Sequence, residues 1–428
     1  MNRSVSIPKA VSLAVQRLGD NGYASHIVGG AVRDYLCKRP IHDWDLVTDA
    51  PIETIRTIFS DFRCLAIGVA HGIMTVLIDD LPIEISTYRG DEPGLVMDLA
   101  KRDFTINAMA YSQKDGIIDP FGGQNDLQAG RIRAVVSPQD RFQEDPLRIL
   151  RCLRFASELS MRIEPETEAA MQRVSLDAVA VERLASEMTK MLVGPGIRDV
   201  LLAYPGILAR VIPEINKMIG FQQRNPYHRY DVWRHTVEVV AHTPADPVLR
   251  WAALFHDMGK PDSYTCDANG IGHFYGHGDK SYVIACRTMR RLKMSNAWQE
   301  TIAMLVKKHD LTIPVTYKGV KKLLYREGYE NLQMLIPLFE ADCAGQSELS
   351  AQRMEDIQNL KRNIEKIREE NACFSRKDLA LSGFDLMRLG FEGRALGDML
   401  QNLVYAVAVD GLPNTREDLL AFVEKQHS

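Results

Sequence analysis

Two aspartates separated by one residue carry the clearest chemistry in the sequence. Asp43 and Asp45 flank Trp44 at the start of WDLVT, a short β-rich stretch typical of a strand. Side chains at positions i and i+2 of a strand point to the same face, so we expect the two carboxylates to lie together. Paired oxygen donors suit Mg²⁺, and two such ions can activate a hydroxyl and stabilise a departing pyrophosphate. Glu84, in the predicted strand LPIEIST, is the candidate third metal carboxylate.

A glycine turn precedes these aspartates. Gly29 and Gly30 follow a predicted strand and come before a helix-like stretch whose first turn contains Arg33 and Asp34. Such a turn lets backbone N–H groups approach a phosphate closely. A D-x-D pair alone also occurs on solvated strand edges. The glycine turn upstream of Asp43 therefore favours a metal and phosphate site over a chance pair.

The elements that must position these residues divide the chain into two parts. Residues 25–136 contain short β-rich stretches and one predicted helix over 51–59, for which Thr48 and Asp49 are the start signal. From about Asp140 onward, apolar residues recur every three or four positions, as in helices. The sequence predicts an α+β fold, with a small N-terminal mixed β-sheet followed by an elongated, all-α remainder.

Composition excludes several classes of protein. Hydrophobic residues make up 46% and charged residues 25% of the 428, which is typical of a folded globular chain and not of a disordered one. The net charge of −4 means that any contact with RNA must use local basic patches. The seven cysteines are scattered and form no C-x-x-C pair, which argues against a disulfide framework or a zinc site and favours the cytoplasm. No run of about 18 apolar residues indicates a membrane span.

Five motifs in a fixed order resemble those of the polymerase β-type nucleotidyltransferases. The closer resemblance is to class II, the bacterial and eukaryotic CCA-adding enzymes and the related bacterial poly(A) polymerases. The motifs are GG-x-x-RD with DWD (29–45), KRDFTINA (101–108), DPFGG-x-x-DL (119–127), EDPLRILR (144–151) and VERL-x-x-E (181–187). The resemblance covers residues 25–195, and the helical remainder is also similar. It implies a tRNA nucleotidyltransferase that uses Mg²⁺, with CTP, ATP and tRNA as partners.

The resemblance also implies domains and site residues. It predicts a nucleotidyltransferase head (1–137), a neck (138–195), a helical body (196–345) and a tRNA-binding tail (346–428). Asp43 and Asp45 would bind Mg²⁺, and Glu84 would act with them in catalysis. The expected nucleotide-binding residues are Gly29, Gly30, Arg33, Arg102, Asp103, Asn107, Asp145, Arg148, Arg151 and Arg154. In the tail, Arg376 and Lys377 are candidate phosphate contacts, or simply solvated charge at a helix start.

Within this set, Asp145 and Arg148 have the most specific expected role. Three residues apart on a helix, they would share a face. A carboxylate accepts from an exocyclic amino group and a guanidinium donates to a ring nitrogen or carbonyl, so the pair could imitate a Watson–Crick partner for C or A. Arg102, Asp103 and Asn107 would meet the ribose and phosphates. The alternatives are a surface ion pair for the first two and a capped surface helix for the other three.

Histidines and aspartates in the helical part form a second constellation. The segment LRWAALFHDMGKP resembles the HD superfamily of metal-dependent phosphohydrolases. The implied ligands of a second divalent metal are His235, His256, Asp257 and Asp342, and members with two metals add ligands at the places of His277 and His309. Imidazole with carboxylate suits Mn²⁺, Ni²⁺, Fe or Zn²⁺. The alternative is an inactive, buried packing of these side chains.

One departure from the family pattern leaves the reaction product open. Residues 90–97 form a short loop where CCA-adding relatives have a much longer segment that helps to switch the pocket from C to A. A CC-adding enzyme, which depends on a separate A-adding enzyme, is therefore the main alternative. A poly(A) polymerase, an HD phosphohydrolase acting on RNA ends and a catalytically dead RNA-binding module are the others.

Overall fold

The computed structural model describes residues 7–65, 72–88, 94–370 and 374–427. The chain forms two compact units, Met1–Val200 and Leu201–Ser428. The first unit contains the mixed sheet and the second is mostly helical. The α+β fold predicted from the sequence is confirmed, whereas the finer division into head, neck, body and tail stays a prediction.

The first unit is built on a seven-stranded sheet. Its strands are β1 Ser25–Val28, β2 Trp44–Thr48, β3 Arg63–Leu65, β4 Ile73–Ile78, β5 Leu81–Thr87, β6 Ala110–Ser112 and β7 Gly116–Ile118. The spatial order is β3-β4-β5-β2-β1-β6-β7. Strands β2 and β5 are parallel and the other neighbouring pairs are antiparallel. The register of the parallel pair places Glu84 opposite Asp45.

Helices of the first unit cover the sheet and continue beyond it. They are α1 Lys9–Asp20, α2 Gly30–Leu36, α3 Ile52–Ile58, α4 Leu95–Ala100, α5 Gly123–Gln128, α6 Pro138–Glu144, α7 Leu147–Leu159, α8 Pro165–Met171, α9 Val181–Leu192 and α10 Ile197–Ala203, which ends across the unit boundary. A short parallel pair joins β8 Arg131–Ile132 to β9 Arg162–Ile163. The main core packs one face of the sheet against α1 and α3 and includes Leu18, Trp44 and Ile55.

The second unit is a helical assembly with one small hairpin. Its helices are α11 Pro205–Val211, α12 Val232–His242, α13 Pro247–Phe255, α14 Lys260–Ser263, α15 His277–Arg291, α16 Asn296–Lys308, α17 Tyr317–Glu327, α18 Tyr329–Ala344, α19 Ala351–Glu369, α20 Gly383–Arg388, α21 Gly393–Tyr405 and α22 Arg416–His427. The hairpin pairs β10 Thr265–Cys266 with β11 Gly272–His273. None of the helices in the described ranges is both long and apolar enough to cross a bilayer.

The structure differs from the sequence prediction in three details of the fold. The predicted helix over 51–59 is α3, but its N-cap is Pro51; Thr48 belongs to β2, so the start signal was assigned wrongly. The predicted all-helical part contains β9 and the β10–β11 hairpin. The predicted loop 90–97 is shorter, because α4 begins at Leu95 and Gly94 is its extended N-cap. Residues 89–93, including Gly90, lie outside the described residues.

Candidate active site and metal centre

The glycine turn lies between β1 and α2. Gly29 has a φ of 70°, a conformation that residues with a side chain rarely adopt. A Cβ atom at this position would lie 2.9 Å from Nη1 of Arg102 and 3.6 Å from Oδ2 of Asp45. The absence of a side chain therefore allows the turn to line the same cavity as these two residues.

The three candidate metal ligands are among the carboxylates that line this cavity, which has a volume of about 870 Å³. Asp45 lies in β2 and Asp43 lies immediately before the strand, while the side chain of the intervening Trp44 is buried in the core. Pairing of β2 with β5 brings Glu84 to the same place. The expected grouping of Asp43, Asp45 and Glu84 thus occurs at one cavity. Oxygen donors of this type fit a divalent ion such as Mg²⁺.

A buried chain of polar contacts connects α2 to the KRDFTINA motif. Arg33 donates to both carboxylate oxygens of Asp34, at 3.0 and 2.9 Å, and to Oδ1 of Asn107 at 2.8 Å. Nδ2 of Asn107 donates to Oδ1 of Asp103 at 3.0 Å. Asp103 and Asn107 are buried, and only Asn107 belongs to the single 3₁₀ turn Thr105–Asn107, so the alternative of a capped surface helix was wrong. Arg102 lines the cavity while donating to buried Asp98.

Asp103 connects this motif to the helix α7. Arg151 donates to its Oδ2 from Nε at 2.9 Å and from Nη2 at 2.6 Å. Burial alone would raise the pKa of Asp103. The charge of Arg151 and hydrogen bonds from Asn107, Arg151 and the Phe104 N–H outweigh it and lower the pKa to about 2. Asp103 is therefore an ionised structural anchor for Arg151.

The predicted geometry of Asp145 and Arg148 was wrong, although both line the cavity. The two do not share a helix face, because Asp145 is extended between α6 and α7, with φ −144°. A residue before proline avoids the helical region, and Pro146 follows it. Oδ1 of Asp145 accepts from the N–H of Leu147 at 3.1 Å, and Oδ2 accepts from Arg183 at 2.9 Å.

Arg148 is held separately from Asp145. Its Nη1 donates to Glu144 Oε2 and to the carbonyl of Arg141, both at 3.1 Å, and its Nη2 donates to the carbonyl of Lys101 at 3.0 Å. Glu144 also pairs with Arg141 at 2.5 Å. The surface ion pair between Asp145 and Arg148, the alternative expected from the sequence, is replaced by two different sets of partners.

Arginines of α7 add positive charge beside these residues. The guanidinium carbons of Arg33, Arg151 and Arg154 lie 5.1, 5.5 and 4.3 Å from the centre of the Phe155 ring. Nε of Arg154 lies 3.0 Å from Glu187 on α9, and Nη1 of Arg151 lies 4.0 Å from the same side chain. Arg151 and Arg154 both line the cavity, as expected for groups that contact an anionic nucleotide.

Sequence reasoning missed several residues of this cavity. Besides Arg183, its lining includes Arg39, His42, Glu158 and Lys190. Arg183 belongs to the VERL-x-x-E motif, so its place in a family motif was a usable signal. The contact itself joins residues 38 positions apart and could not be read from local spacing.

The histidines and aspartates of the second unit form one buried cluster. The cluster consists of His235, His256, Asp257, His277, His309 and Asp342. They come from α12, the end of α13, the start of α15, the end of α16 and α18. All six predicted residues are therefore brought together.

Asp257 lies at the centre of this cluster. Its Oδ2 lies 3.2 Å from His235 Nε2 and 3.1 Å from His256 Nε2. Its Oδ1 lies 3.4 Å from His277 Nε2 and 3.7 Å from His309 Nε2. Two groups of potential metal ligands, His235–His256–Asp257 and Asp257–His277–His309, thus share one carboxylate. The imidazole and carboxylate donors fit one or two transition-metal ions.

The charges within the cluster are mutually stabilised. Burial would lower the pKa of His235, but hydrogen bonds to Asp257 and Asp342 raise it to about 9. Against the effect of burial, His256 and Lys260 hold the pKa of Asp257 well below its usual range. The carboxylates of Asp257 and Asp342 are therefore ionised, as metal ligation requires, whereas His235 must lose its extra proton when a metal binds.

The cluster opens into a cavity of about 610 Å³ whose other charged groups the sequence prediction missed. Lys260 Nζ lies 2.8 Å from Asp257 Oδ2, and Arg353 Nη1 lies 3.6 Å from Asp342 Oδ2. The ring of His228 lies beside His235, and burial together with the charge of Lys260 lowers the pKa of His228 to about 3. Lys260 follows Asp257 by three residues, so the motif itself could have indicated it.

The candidate tail contacts Arg376 and Lys377 lie in the second unit. Arg376 lines a groove of the second unit together with Lys322, Tyr325 and Arg326, and its Nη2 lies 3.4 Å from the carbonyl of Gly397. Lys377 donates its backbone N–H to Ser375, as in a solvated helix start. A role of either residue in phosphate binding stays a prediction.

Three family models match parts of the chain. They describe a poly A polymerase head domain (residues 25–133), a probable RNA and SrmB-binding site of polymerase A (160–219) and a putative tRNA nucleotidyltransferase domain 2 (281–423). The matched segments include the carboxylate site and most of the helical unit.

Similar proteins match over nearly the whole chain. An A-adding tRNA nucleotidyltransferase of Deinococcus radiodurans is 31% identical over 93% of this chain and 94% of its own. A CCA-adding enzyme of Levilactobacillus brevis is 30% identical over 96% of each chain. The crystal structure of the Bacillus stearothermophilus CCA-adding enzyme in complex with CTP superposes with a TM-score of 0.72, at 25% identity, over 98% of this chain and 97% of that one. The chain therefore belongs to the family of tRNA nucleotidyltransferases that contains the CCA-adding enzymes, and it is a nucleotidyltransferase.

Proposed function

We propose that this enzyme adds C, C and A to the 3′ end of tRNA from CTP and ATP without a nucleic-acid template. The observation that carries the proposal is the single cavity that contains Asp43, Asp45, Asp145 and Arg148. The cavity combines a carboxylate metal site with polar groups suited to the edge of a base, so both can act on one bound nucleotide. CCA-adding relatives that match over nearly the full length support the same activity.

The side chains divide the work on the nucleotide. Asp43 and Asp45, with Glu84, would hold Mg²⁺, which on binding polarises the α-phosphate and neutralises charge on the leaving pyrophosphate. The Gly29–Gly30 backbone and the arginines of α7 would bind the phosphates. Arg102, Asp103 and Asn107 would fix the ribose, Asp103 acting mainly through Arg151. Together these contacts position the α-phosphate for the tRNA 3′-hydroxyl.

Asp145 and Arg148 would select the base. An ionised carboxylate only accepts hydrogen bonds, so Asp145 favours the amino groups of C and A over the carbonyl oxygens of U and G. Three of the five N–H groups of Arg148 donate to Glu144, Arg141 and Lys101. This restraint fixes the guanidinium plane relative to a bound base.

Incorporation on a tRNA transcript that ends at its discriminator base tests the proposal. CTP alone should give two added residues, and CTP with ATP should give three, ending in A. Two C residues and no A with both nucleotides would instead establish a CC-adding enzyme that needs a separate A-adding partner. Long A tracts would establish a poly(A) polymerase, and no incorporation would establish a binding module.

For the histidine cluster we propose a resident divalent metal site that hydrolyses phosphate esters at RNA ends. The supporting observation is the set of six buried ligands around Asp257, with cationic Lys260 and Arg353 beside it. The purified protein should contain a transition metal by mass spectrometry. Hydrolysis of a 2′,3′-cyclic phosphate end to a monophosphate, or release of phosphate from a 3′-phosphate end, should occur in the wild type and not in Asp257→Ala. A metal-free wild type that hydrolyses neither end would refute this second activity.

The proposed cellular location is the cytoplasm. The six cysteines within the described ranges are all unpaired, which is typical of proteins in a reducing compartment.

A further inference from the structure

The VERL-x-x-E motif lies outside the catalytic and base-reading residues, yet two of its side chains contact them. Arg183 and Glu187 are four residues apart on α9 and therefore share a face, which Lys190 extends by one turn. Arg183 and Lys190 line the nucleotide cavity. Glu187 is buried against the arginines of α7. This face of α9 thus contacts two different parts of the nucleotide site.

Arg183 contacts the base-reading part. Its Nη2 donates to Oδ2 of Asp145 at 2.9 Å, while the Leu147 N–H occupies Oδ1 at 3.1 Å. Two donors on different oxygens fix the plane of the carboxylate. If Arg183 is removed, only the Leu147 N–H still binds Asp145, and the carboxylate can rotate about that single hydrogen bond.

Glu187 contacts the phosphate-facing part. It lies 3.0 Å from Arg154 and 4.0 Å from Arg151, and Arg151 in turn holds Asp103. These contacts set the position of positive charge in the cavity. They do not involve Asp145, so the two ends of the α9 face act on separate groups.

We infer that Arg183 is a positioning residue for base selection, and that Glu187 on the same face is a positioning residue for triphosphate affinity. The inference rests on the proposed nucleotidyltransferase function. A fixed carboxylate repels the carbonyl oxygen that U or G presents in place of an amino group. A carboxylate that is free to rotate can turn away from that oxygen. Loss of Arg183 should therefore raise the relative incorporation of U and G more than it lowers the incorporation of C and A.

The exposure of the ion pair makes this inference testable. The side chains of Arg183 and Asp145 are 55% and 31% exposed, and exposed pairs contribute little to stability. Arg183→Gln should therefore fold normally, which circular dichroism would verify. Arg183→Lys keeps the positive charge but offers a single donor nitrogen, so its base selectivity should lie between those of Arg183→Gln and the wild type.

The experiment measures kcat/KM for CTP against UTP on tRNA ending at the discriminator base, and for ATP against GTP on tRNA ending in CC. In Arg183→Gln both selectivity ratios should fall by about tenfold, since a well-positioned base contact contributes roughly 5- to 150-fold discrimination. Arg173→Gln removes an exposed arginine of the same unit that does not line the cavity, and it should leave both ratios unchanged. Glu187→Gln should raise KM for all four nucleotides by a similar factor, about threefold or more, and keep the ratios.

The outcomes separate the inference from the function on which it rests. A wild type that incorporates neither C nor A refutes the proposed function. A wild type that incorporates them, with Arg183→Gln ratios within twofold of its own, refutes the inference. Equal loss of kcat/KM for all nucleotides in Arg183→Gln, with Arg173→Gln normal, also refutes it, because Arg183 would then serve general affinity.

Discussion

The carboxylate cavity of the first unit and the histidine cluster of the second differ in the access of water to their candidate metal ligands. Asp43 and Glu84 are exposed, whereas all six residues of the cluster are buried. Exposed carboxylates are stabilised by water when no metal is bound, so the ion can arrive and leave with the nucleotide. Buried carboxylates need fixed positive partners; protonated His235 and Lys260 supply them when no metal is bound, and a bound metal would replace the proton of His235.

This difference predicts two modes of metal use in one chain. The carboxylate cavity should bind Mg²⁺ weakly and exchange it, since Mg²⁺ keeps waters and substrate phosphates among its ligands. The histidine cluster should retain a transition metal through purification, because its six candidate ligands are already assembled and buried. Variants of one site should therefore leave the metal behaviour of the other unchanged.

Replacing the paired aspartates should produce the largest effect. In Asp43→Ala/Asp45→Ala, nucleotide incorporation should fall on the order of a thousandfold or more, since both carboxylates proposed to hold Mg²⁺ are lost. The transition-metal content of the purified variant should equal that of the wild type. Glu53→Gln, an exposed carboxylate on α3, serves as the control. Retained incorporation in the double variant would remove the basis for placing catalysis at this site.

Replacing Asp257, the shared carboxylate of the cluster, should have the opposite effect: metal content should fall and nucleotide incorporation should not. Asp257→Asn should lose nearly all bound transition metal while incorporation stays close to the wild-type rate. His309→Gln affects one of the two ligand groups, so its metal content should fall to roughly half if both are occupied. His273→Gln is the control, a half-buried histidine that stacks on Tyr275 and pairs with Asp267 outside the cluster. Equal metal content in all three variants would mean that the metal is bound elsewhere.

A smaller effect should come from the glycine turn. Gly29→Ala combines an unfavourable positive φ with a Cβ 2.9 Å from Arg102, so we expect incorporation to fall by about tenfold. Gly22→Ala imposes the same kind of backbone strain, with φ 84° and no atom within 4 Å of the added Cβ. Steady-state kinetics of the two variants would separate the two causes. Similar losses in both would show that strain alone, and not crowding at the cavity, explains the result.

The two sites also differ in how far the sequence could predict them. The Asp43–Asp45 pair follows from the period of a strand, a local rule that needs no tertiary knowledge. The cluster draws ligands from five helical segments, and only the resemblance to a family indicated that they would meet. Both groupings were found, the first from physics and the second by analogy.

The failures of prediction have physical causes. Asp145 and Arg148 were assigned to one helix face because the i,i+3 rule was applied across Pro146, which disfavours helical backbone at the preceding residue. Their partners Arg183 and Lys101 are 38 and 47 residues distant in sequence. Such contacts depend on how α4, α7 and α9 pack in the fold. The hydrophobic period predicts only which face of each helix is buried.

The smallest predicted effect concerns the buried anchor of the first site and depends on pH. Asp103 has a pKa of about 2 in the folded chain against an ordinary 3.8, so it binds fewer protons when folded than when unfolded near pH 3. Its contribution is fully present above pH 3.8 and is lost as the pH falls through about 2; at neutral pH it amounts to about 2 kcal/mol. Hydrogen exchange of the segment 99–112 should show greater protection in the wild type than in Asp103→Asn at pH 5, after correction for intrinsic rates. The difference should shrink towards pH 2, because protonation removes the charge that Arg151 binds. A difference independent of pH would mean that the shape of the Asp103 side chain, and not its charge, holds Arg151 in the cavity.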